Sequence, residues 1–169
     1  MNYPAEQELF LKLIQENKGI IYKICNSYCR DKNGREDLAQ EIIYQLWKSG
    51  KSFDPGYKFS TWMYRIALNT AISFYRKEKK SDTIIALTYT HFDVEDKTEI
   101  TGDMEERIKQ LQDFINELKA LDKALMLLYL ESKSYSEIAE ILGITETNVA
   151  TKISRVKERL RKHFSTIKH

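Results

Sequence analysis

The chain has 169 residues, of which only 6 are glycine and 2 are proline. This length suits one ordinary domain or two small ones, and long helical periods with almost no alternating strand pattern predict an all-α protein. No secretory leader and no apolar run of about 18 residues is visible, which argues against membrane insertion and predicts a cytoplasmic protein.

Charge is distributed unevenly, although the net charge at pH 7 is only +2. Residues 1–80 carry 14 lysines and arginines against 9 acidic residues, a net charge of +5. Residues 81–103 carry one lysine against six acidic residues, a net charge of −5, and the last predicted helix is basic again. Because basic surfaces attract polyanions by counterion release, this order of charges indicates a polyanionic partner.

Three helical segments are predicted in the first half of the chain. The first covers residues 6–28, with a break or kink near Gly19. After a polar turn the second runs from about Arg35 to Lys48, and its Leu38, Ile42 and Leu46 should point inward at i, i+4 and i+8. A loop over residues 49–57 precedes a third helix from Ser60 to about Lys79.

Two cysteines, Cys25 and Cys29, lie four residues apart at the end of the first helical segment. They cannot form an ordinary disulfide framework, and no second pair of metal ligands follows them. We expect buried free thiols on a helix face, with a redox or metal role as the alternative. The three histidines are scattered, so no metal site, cofactor or catalytic grouping is expected.

The stretch 81–103 loses the helical period and is acidic and rich in threonine, which is typical of a flexible linker. A second helical unit with four helices follows it. The predicted organisation is two small helical domains, residues 5–80 and 104–166, joined by a flexible acidic linker. The C-terminal domain is expected to be a winged-helix-like, four-helix unit that contains a helix-turn-helix.

The helix-turn-helix is predicted between Ser134 and Lys162. Ser134 and Glu137 have the spacing of a capping box, which starts a short helix. Gly143 suits the left-handed residue that ends this helix, and Thr145 can cap the next one. A short helix, a glycine turn and a capped basic helix together favour DNA binding over a plain helical hairpin with a solvated basic face.

The second helix of this motif has two distinct faces. Val149, Ile153 and Val156 fall in one narrow stripe with Leu160 and should face the core. The residues predicted to contact DNA are Thr147, Asn148, Ala150, Thr151, Lys152, Ser154 and Arg155. Small polar side chains near the helix start can reach base edges, and longer cations can reach phosphates.

One face of the third helix combines an indole, an amide and two guanidinium groups. It consists of Trp62, Arg65, Asn69, Ser73 and Arg76. Aromatic and basic groups on one face suit unstacked bases of single-stranded DNA. Four residues of the preceding loop could wall a pocket for an extruded base, namely Ser52, Phe53, Tyr57 and Phe59. For any single aromatic residue taken alone, a place in the core is the favoured interpretation, but that interpretation is weaker for the face as a whole.

The second helix exposes a polar face that is not basic, formed by Asp37, Gln40, Glu41, Tyr44 and Gln45. Tyrosine and carboxylates do not suit DNA, but they suit a protein partner with a basic helix. A merely solvated face is the alternative.

Three segments resemble the small, two-domain, extracytoplasmic-function (ECF) group of bacterial sigma factors, and the likeness extends from about residue 5 to residue 165. Asp37-Leu-Ala-Gln-Glu41, followed by Trp47, resembles the segment that grips the clamp helices of the largest subunit of RNA polymerase. Phe59-Ser-Thr-Trp-Met-Tyr-Arg-Ile-Ala-Leu-Asn69 resembles the helix that reads and melts the minus-ten element. Residues 135–160 resemble the helix-turn-helix that reads the minus-thirty-five element.

The resemblance implies a non-enzymatic specificity subunit without a cofactor. Its partners would be core RNA polymerase, through the clamp helices and the flap, promoter DNA in double-stranded and melted form, and a restraining anti-sigma factor. The family's pocket for a flipped base would fall on Ser52, Phe53 and Asn69. Two features depart from the family pattern. Ala150 occupies a position where the family often has a cation, and the loop 54–57 does not match the family's sequence.

Two other functions fit parts of the pattern. A dimeric helix-turn-helix regulator acting independently of any sigma role would need a dimer seam and an effector domain. A helical interaction protein, such as an anti-sigma factor or an adaptor, would not need the basic helix.

Overall fold

The computed structural model describes residues 3–81 and 102–167, which form eight α-helices and one short 3₁₀ turn. These residues contain no strand, and none of their helices combines the length and apolarity needed to cross a bilayer. The all-α prediction is therefore confirmed. The described residues fall into two compact units, 3–81 and 102–167. The predicted linker lies outside the described residues from 82 to 101.

The first unit consists of four helices and the 3₁₀ turn. They are α1 (Tyr3–Glu16), α2 (Lys18–Tyr28), α3 (Lys32–Ser49), the turn Gly50–Ser52 and α4 (Phe59–Ser81). The predicted break in the first helical segment is confirmed, because α1 ends at Glu16 and α2 begins at Lys18. At the break, the side-chain amide of Asn17 donates from Nδ2 to the carbonyl of Leu13 at 2.8 Å. Helices α2, α3 and α4 pack against one another and enclose the core.

The start of α3 corrects the sequence prediction, which placed Arg30 to Gly34 in a polar turn. The helix begins at Lys32 because Asp31 caps it: a carboxylate oxygen of Asp31 accepts from the backbone N–H of Gly34 at 2.9 Å. An aspartate at this position satisfies a helix-terminal donor that would otherwise lack a partner.

The core of the first unit has the predicted composition. Leu38, Ile42 and Leu46 of α3 are fully buried, which confirms the inward stripe. Helix α4 contributes a matching buried face, and its innermost side chains are Met63, Ala67, Leu68 and Ala71. Because this face is buried, the opposite face of α4 is turned to solvent, and this fixes which α4 residues a ligand can reach.

The second unit consists of α5 (Gly102–Glu117), α6 (Ala120–Leu130), α7 (Tyr135–Leu142) and α8 (Glu146–Ile167). Phe114, Leu118, Met126 and Val156 form a buried cluster, against which Leu160 and two further side chains pack. The four helices were predicted. Over residues 102–167 the structure contains no strand, so the likeness to a winged helix concerns the helices alone.

Cys25 and Cys29 are free and buried, as predicted. Burial raises the pKa of the Cys25 thiol to about 11, although the Arg35 guanidinium opposes this effect. Burial also raises the pKa of Cys29 to about 12, and the Glu78 carboxylate acts in the same direction. Both effects disfavour the thiolate, which is the nucleophilic form.

We therefore expect both thiols to resist alkylation in the folded protein. At pH 8, a pKa near 11 instead of 9.0 lowers the thiolate fraction of Cys25 about a hundredfold. Iodoacetamide labelling followed by mass spectrometry should show slow modification in buffer and rapid modification in guanidinium chloride. Rapid labelling of the native protein would contradict this burial.

Candidate nucleic-acid interface

Local hydrogen bonds between residues that were predicted from the sequence define the helix-turn-helix. The Ser134 hydroxyl accepts from the backbone N–H of Glu137 at 3.1 Å, and the Glu137 carboxylate accepts from the backbone N–H of Ser134 at 2.8 Å. This capping box starts α7. Gly143 ends it with a φ of 67°, in the left-handed region that favours glycine. Both predictions are confirmed.

Helix α8 is capped and anchored as predicted. The Thr145 hydroxyl accepts from the backbone N–H of Asn148 at 3.1 Å, so this cap is confirmed. Val149, Ile153 and Val156 are buried and hold α8 against α6 and α7. The stripe fixes the rotation of α8 about its own axis and therefore fixes which side chains face outward.

The outward face of α8 contains most of the residues predicted to contact DNA. Exposed side chains are Thr147, Asn148, Thr151, Ser154 and Arg155, whereas Ala150 and Lys152 are half-buried at the edge of the face. The Thr151 hydroxyl donates to the carbonyl of Thr147 at 2.9 Å. Its oxygen lone pairs remain available as acceptors for a base or a water molecule.

The position of the Lys157 ammonium group could not be predicted from the sequence pattern alone. Its Nζ lies 2.6 Å from the Tyr129 hydroxyl oxygen and 4.2 Å from the centroid of the same ring. This ammonium group is thus held between α8 and α6, whereas the side chains of Arg155, Arg161 and Lys162 are exposed.

Gly143 gives a direct test of the turn. A methyl group added there would meet no atom within 4 Å, so a substitution changes only the backbone preference. Gly143→Ala should lower the free energy of unfolding by about 1 kcal/mol, because a residue with a Cβ is disfavoured at this φ. Chemical denaturation measures the effect. Gly19→Ala is the matched control, since it also has open space but lies in α2, where alanine should be neutral or stabilising.

The solvent face of α4 matches the predicted surface except at its tryptophan. Arg65, Asn69, Ser73 and Arg76 are all exposed along this helix. Trp62 is only half-exposed. Two cations and an amide therefore extend over about three turns of one helix face, with the buried core face directly behind them.

Trp62 and Phe53 belong to an aromatic cluster at the start of α4. The Phe53 and Trp62 ring centroids are 5.2 Å apart, and Phe59 lies 5.3 Å from Phe53 and 5.4 Å from Trp62. Phe10 of α1 also contacts this cluster. The structure thus packs together Phe53 and Phe59, two of the three rings that were predicted to wall a pocket. Tyr57 is the more accessible ring, with 61% of its surface exposed.

The loop that carries Ser52 and Asp54 is shaped by its own hydrogen bonds. The exposed Ser52 donates from Oγ to the carbonyl of Ser49 at 2.7 Å. The Asp54 carboxylate accepts from the backbone N–H of Gly56 at 2.9 Å, and the carbonyl of the same aspartate accepts from the backbone N–H of Tyr57 at 3.0 Å. These bonds form a compact turn between Asp54 and the exposed Tyr57.

The outward face of α3 is accessible and partly apolar. Asp37, Gln40, Glu41 and Tyr44 are exposed, and Gln45 is half-buried and donates from Nε2 to a carboxylate oxygen of Glu41 at 2.9 Å. Trp47 and Ile43 each keep 46% of their surface exposed. Ile43 was not predicted as part of this face. An apolar residue exposed beside a tyrosine and a tryptophan is typical of a protein interface.

Comparison with known proteins agrees with this geometry. The sigma-70 region 2 family matches residues 13–81, and the sigma-70 region 4 family matches residues 108–160. The ECF RNA polymerase sigma factor SigW of Bacillus subtilis is 31% identical, over 95% of this chain and 91% of its own. SigM of the same organism is also 31% identical, over 83% of this chain and 86% of its own.

Two solved structures share the fold. CnrH, in complex with the cytosolic domain of CnrY, has a TM-score of 0.66 at 17% identity, over 95% of this chain and 90% of that one. RpoE of Bartonella quintana, in complex with the anti-sigma factor NepR, has a TM-score of 0.68 at 22% identity, over 96% of this chain and 97% of that one. With both sigma-70 regions matched in order and SigW aligned over almost its whole length, the chain belongs to the ECF group of RNA polymerase sigma factors.

Proposed function

We propose that this ECF sigma factor binds core RNA polymerase through α3, melts and captures the minus-ten element along α4, and reads the minus-thirty-five element with α8. The observation that carries the proposal is the exposed face of α4, where Arg65, Asn69 and Arg76 lie opposite a fully buried core face. Cations that track phosphates beside an amide that reads a base edge suit melted DNA more than an uninterrupted duplex.

Helix α8 supplies the duplex-reading part of the proposal. Thr147, Asn148 and Thr151 near its start are small enough to approach base edges, and Arg155 follows one turn later within reach of a phosphate. This is a small set of contacts for one helix. We therefore expect weak binding by the second unit alone and tight promoter binding only when polymerase holds both units on one DNA.

The proposed action needs no covalent chemistry, because docking and base capture use binding energy alone. It locates the protein in the cytoplasm, where bacterial polymerase works. The RpoE structure is a complex with an anti-sigma factor. By that likeness we include a restraining anti-sigma factor among the proposed partners. The polymerase flap is included because of the resemblance to the sigma family.

The decisive experiment is a selection for transcripts. Core RNA polymerase is mixed with the protein and with a library of random DNA of promoter length, and transcribed molecules are sequenced. We expect enrichment of two separated sequence elements, found only when the protein is present. The absence of promoter-specific initiation would contradict the sigma role. A stable dimer that binds DNA without polymerase would instead favour an independent helix-turn-helix regulator.

Arg155→Ala tests the upstream contact. The variant holoenzyme should bind minus-thirty-five DNA several-fold more weakly, and the slope of log affinity against log salt should fall by about 0.9, the contribution of one phosphate contact. Titrating the holoenzyme with fluorescent duplex over a range of salt concentrations measures both. Arg107→Ala is the matched control, an exposed arginine on α5. An unchanged slope for Arg155→Ala would remove this residue from the phosphate contacts.

A further inference from the structure

The ring of Phe10 on α1 lies where the proposed polymerase surface and the proposed melted-DNA surface meet. Its centroid is 5.8 Å from that of Trp62, 5.9 Å from that of Phe59 and 6.2 Å from that of Trp47. Trp62 and Phe59 contact it edge-on, a favourable geometry for aromatic pairs. Phe10 is itself half-buried. The other three rings of the cluster, those of Phe53, Phe59 and Trp62, are half-buried as well.

The same ring also rests on the backbone of the 3₁₀ turn. A methyl group added at Gly50 would lie 2.9 Å from Cζ of Phe10, closer than real contacts allow. Gly50 has φ −56° and ψ −33°, a conformation open to any residue. Close approach of the Phe10 ring is thus the physical reason for a small residue here. The turn ends at Ser52 and leads directly into Phe53.

We infer that Phe10 is a positioning residue for the capture of unpaired bases, an inference that rests on the proposed function. The ring braces Trp62 from one side and the Gly50–Ser52 turn from the other. The exposed edge of the cluster and the following loop are thereby held in one geometry before DNA arrives. Preorganisation of this kind lowers the entropy that binding must remove.

A ring truncation tests the inference in the assembled holoenzyme. Phe10→Leu holoenzyme, formed at saturating polymerase so that affinity for polymerase does not enter, is titrated with two DNAs. One carries a pre-melted minus-ten bubble, and the other carries only a minus-thirty-five duplex. We expect about fivefold weaker binding of the bubble, at the low end of one base-stacking contact, and unchanged binding of the duplex.

Gly50→Ala provides an independent variant, because it displaces the same ring without altering it. Alone, it should weaken bubble binding to a similar extent. In the Phe10→Leu background it should add little, since the shorter side chain leaves room for the methyl group. Additive losses in this double-mutant cycle would mean that the two residues act separately and would overturn the inference.

Tryptophan fluorescence reports on the ring contact directly, since Trp47 and Trp62 are the two tryptophans of the chain. In a Trp47→Phe background, Phe10→Leu should shift the emission of Trp62 in the free protein to longer wavelength as the indole becomes more hydrated. A purely structural role predicts a lower Tm but unchanged bubble binding well below that Tm. This result would overturn the inference. The proposed function fails by a different result, namely a wild-type holoenzyme that initiates at no promoter.

Discussion

Replacing Tyr44 by alanine should weaken binding to core RNA polymerase about thirtyfold without lowering the Tm of the protein. Tyr44 projects from α3 with 56% of its surface exposed, so its ring contributes little to the core. Exposed tyrosines flanked by carboxylates are common energetic centres of interfaces, where truncation costs about 2 kcal/mol, or roughly thirtyfold in affinity. Titration of labelled protein with core polymerase gives the Kd, and thermal denaturation gives the Tm.

Tyr22→Ala is the matched control for this prediction. Tyr22 is also an exposed tyrosine of the first unit, at 63%, but it lies on α2 and outside the proposed polymerase surface. Its removal should change neither the Kd nor the Tm. An equal loss of affinity for the two variants would show that the loss of any exposed tyrosine weakens binding, and it would contradict a specific contact at Tyr44. A Tyr44→Ala variant that binds as wild type would place the polymerase contact elsewhere.

Most of the structure that local contacts set was predictable from the sequence, and the Asp31 cap of α3 is the exception. The caps of α7 and α8 involve residues three positions apart, Ser134 with Glu137 and Thr145 with Asn148, so their spacing alone identifies them. The same holds for the Gly143 turn. Amphipathic stripes such as Leu38, Ile42 and Leu46 were equally predictable, because the burial of one helix face requires apolar residues at helical spacing.

Contacts between distant segments could not be predicted in this way. Phe10 and Trp62 are 52 positions apart in the sequence, and only the packing of α1 against the start of α4 brings their rings together. For this reason Trp62 was predicted to belong to the exposed face of α4, whereas its ring is half-buried. The start of α3 was missed for a simpler reason, because Asp31 was taken as part of a turn although aspartate is also a good helix cap.

Asn69→Ala should lower open-complex formation about twentyfold while leaving polymerase binding intact. Asn69 is exposed at the middle of the α4 face, between Arg65 and Ser73. Its amide can donate to and accept from one base edge, and a well-formed pair of such bonds discriminates by about 1–3 kcal/mol. Permanganate reactivity of unpaired thymines measures opening, and the polymerase titration described for Tyr44 measures docking.

Asn69 is a cleaner probe than Trp62, because Trp62→Ala would also remove ring contacts with Phe10, Phe53 and Phe59 and would disturb the fold. Asn26→Ala, an exposed asparagine on α2, is the matched control and should leave opening unchanged. If Asn69→Ala lowered opening and polymerase affinity equally, its effect would be structural and the α4 face would lose its proposed role. Selective loss of opening, by contrast, would assign the capture of unpaired bases to this face of α4.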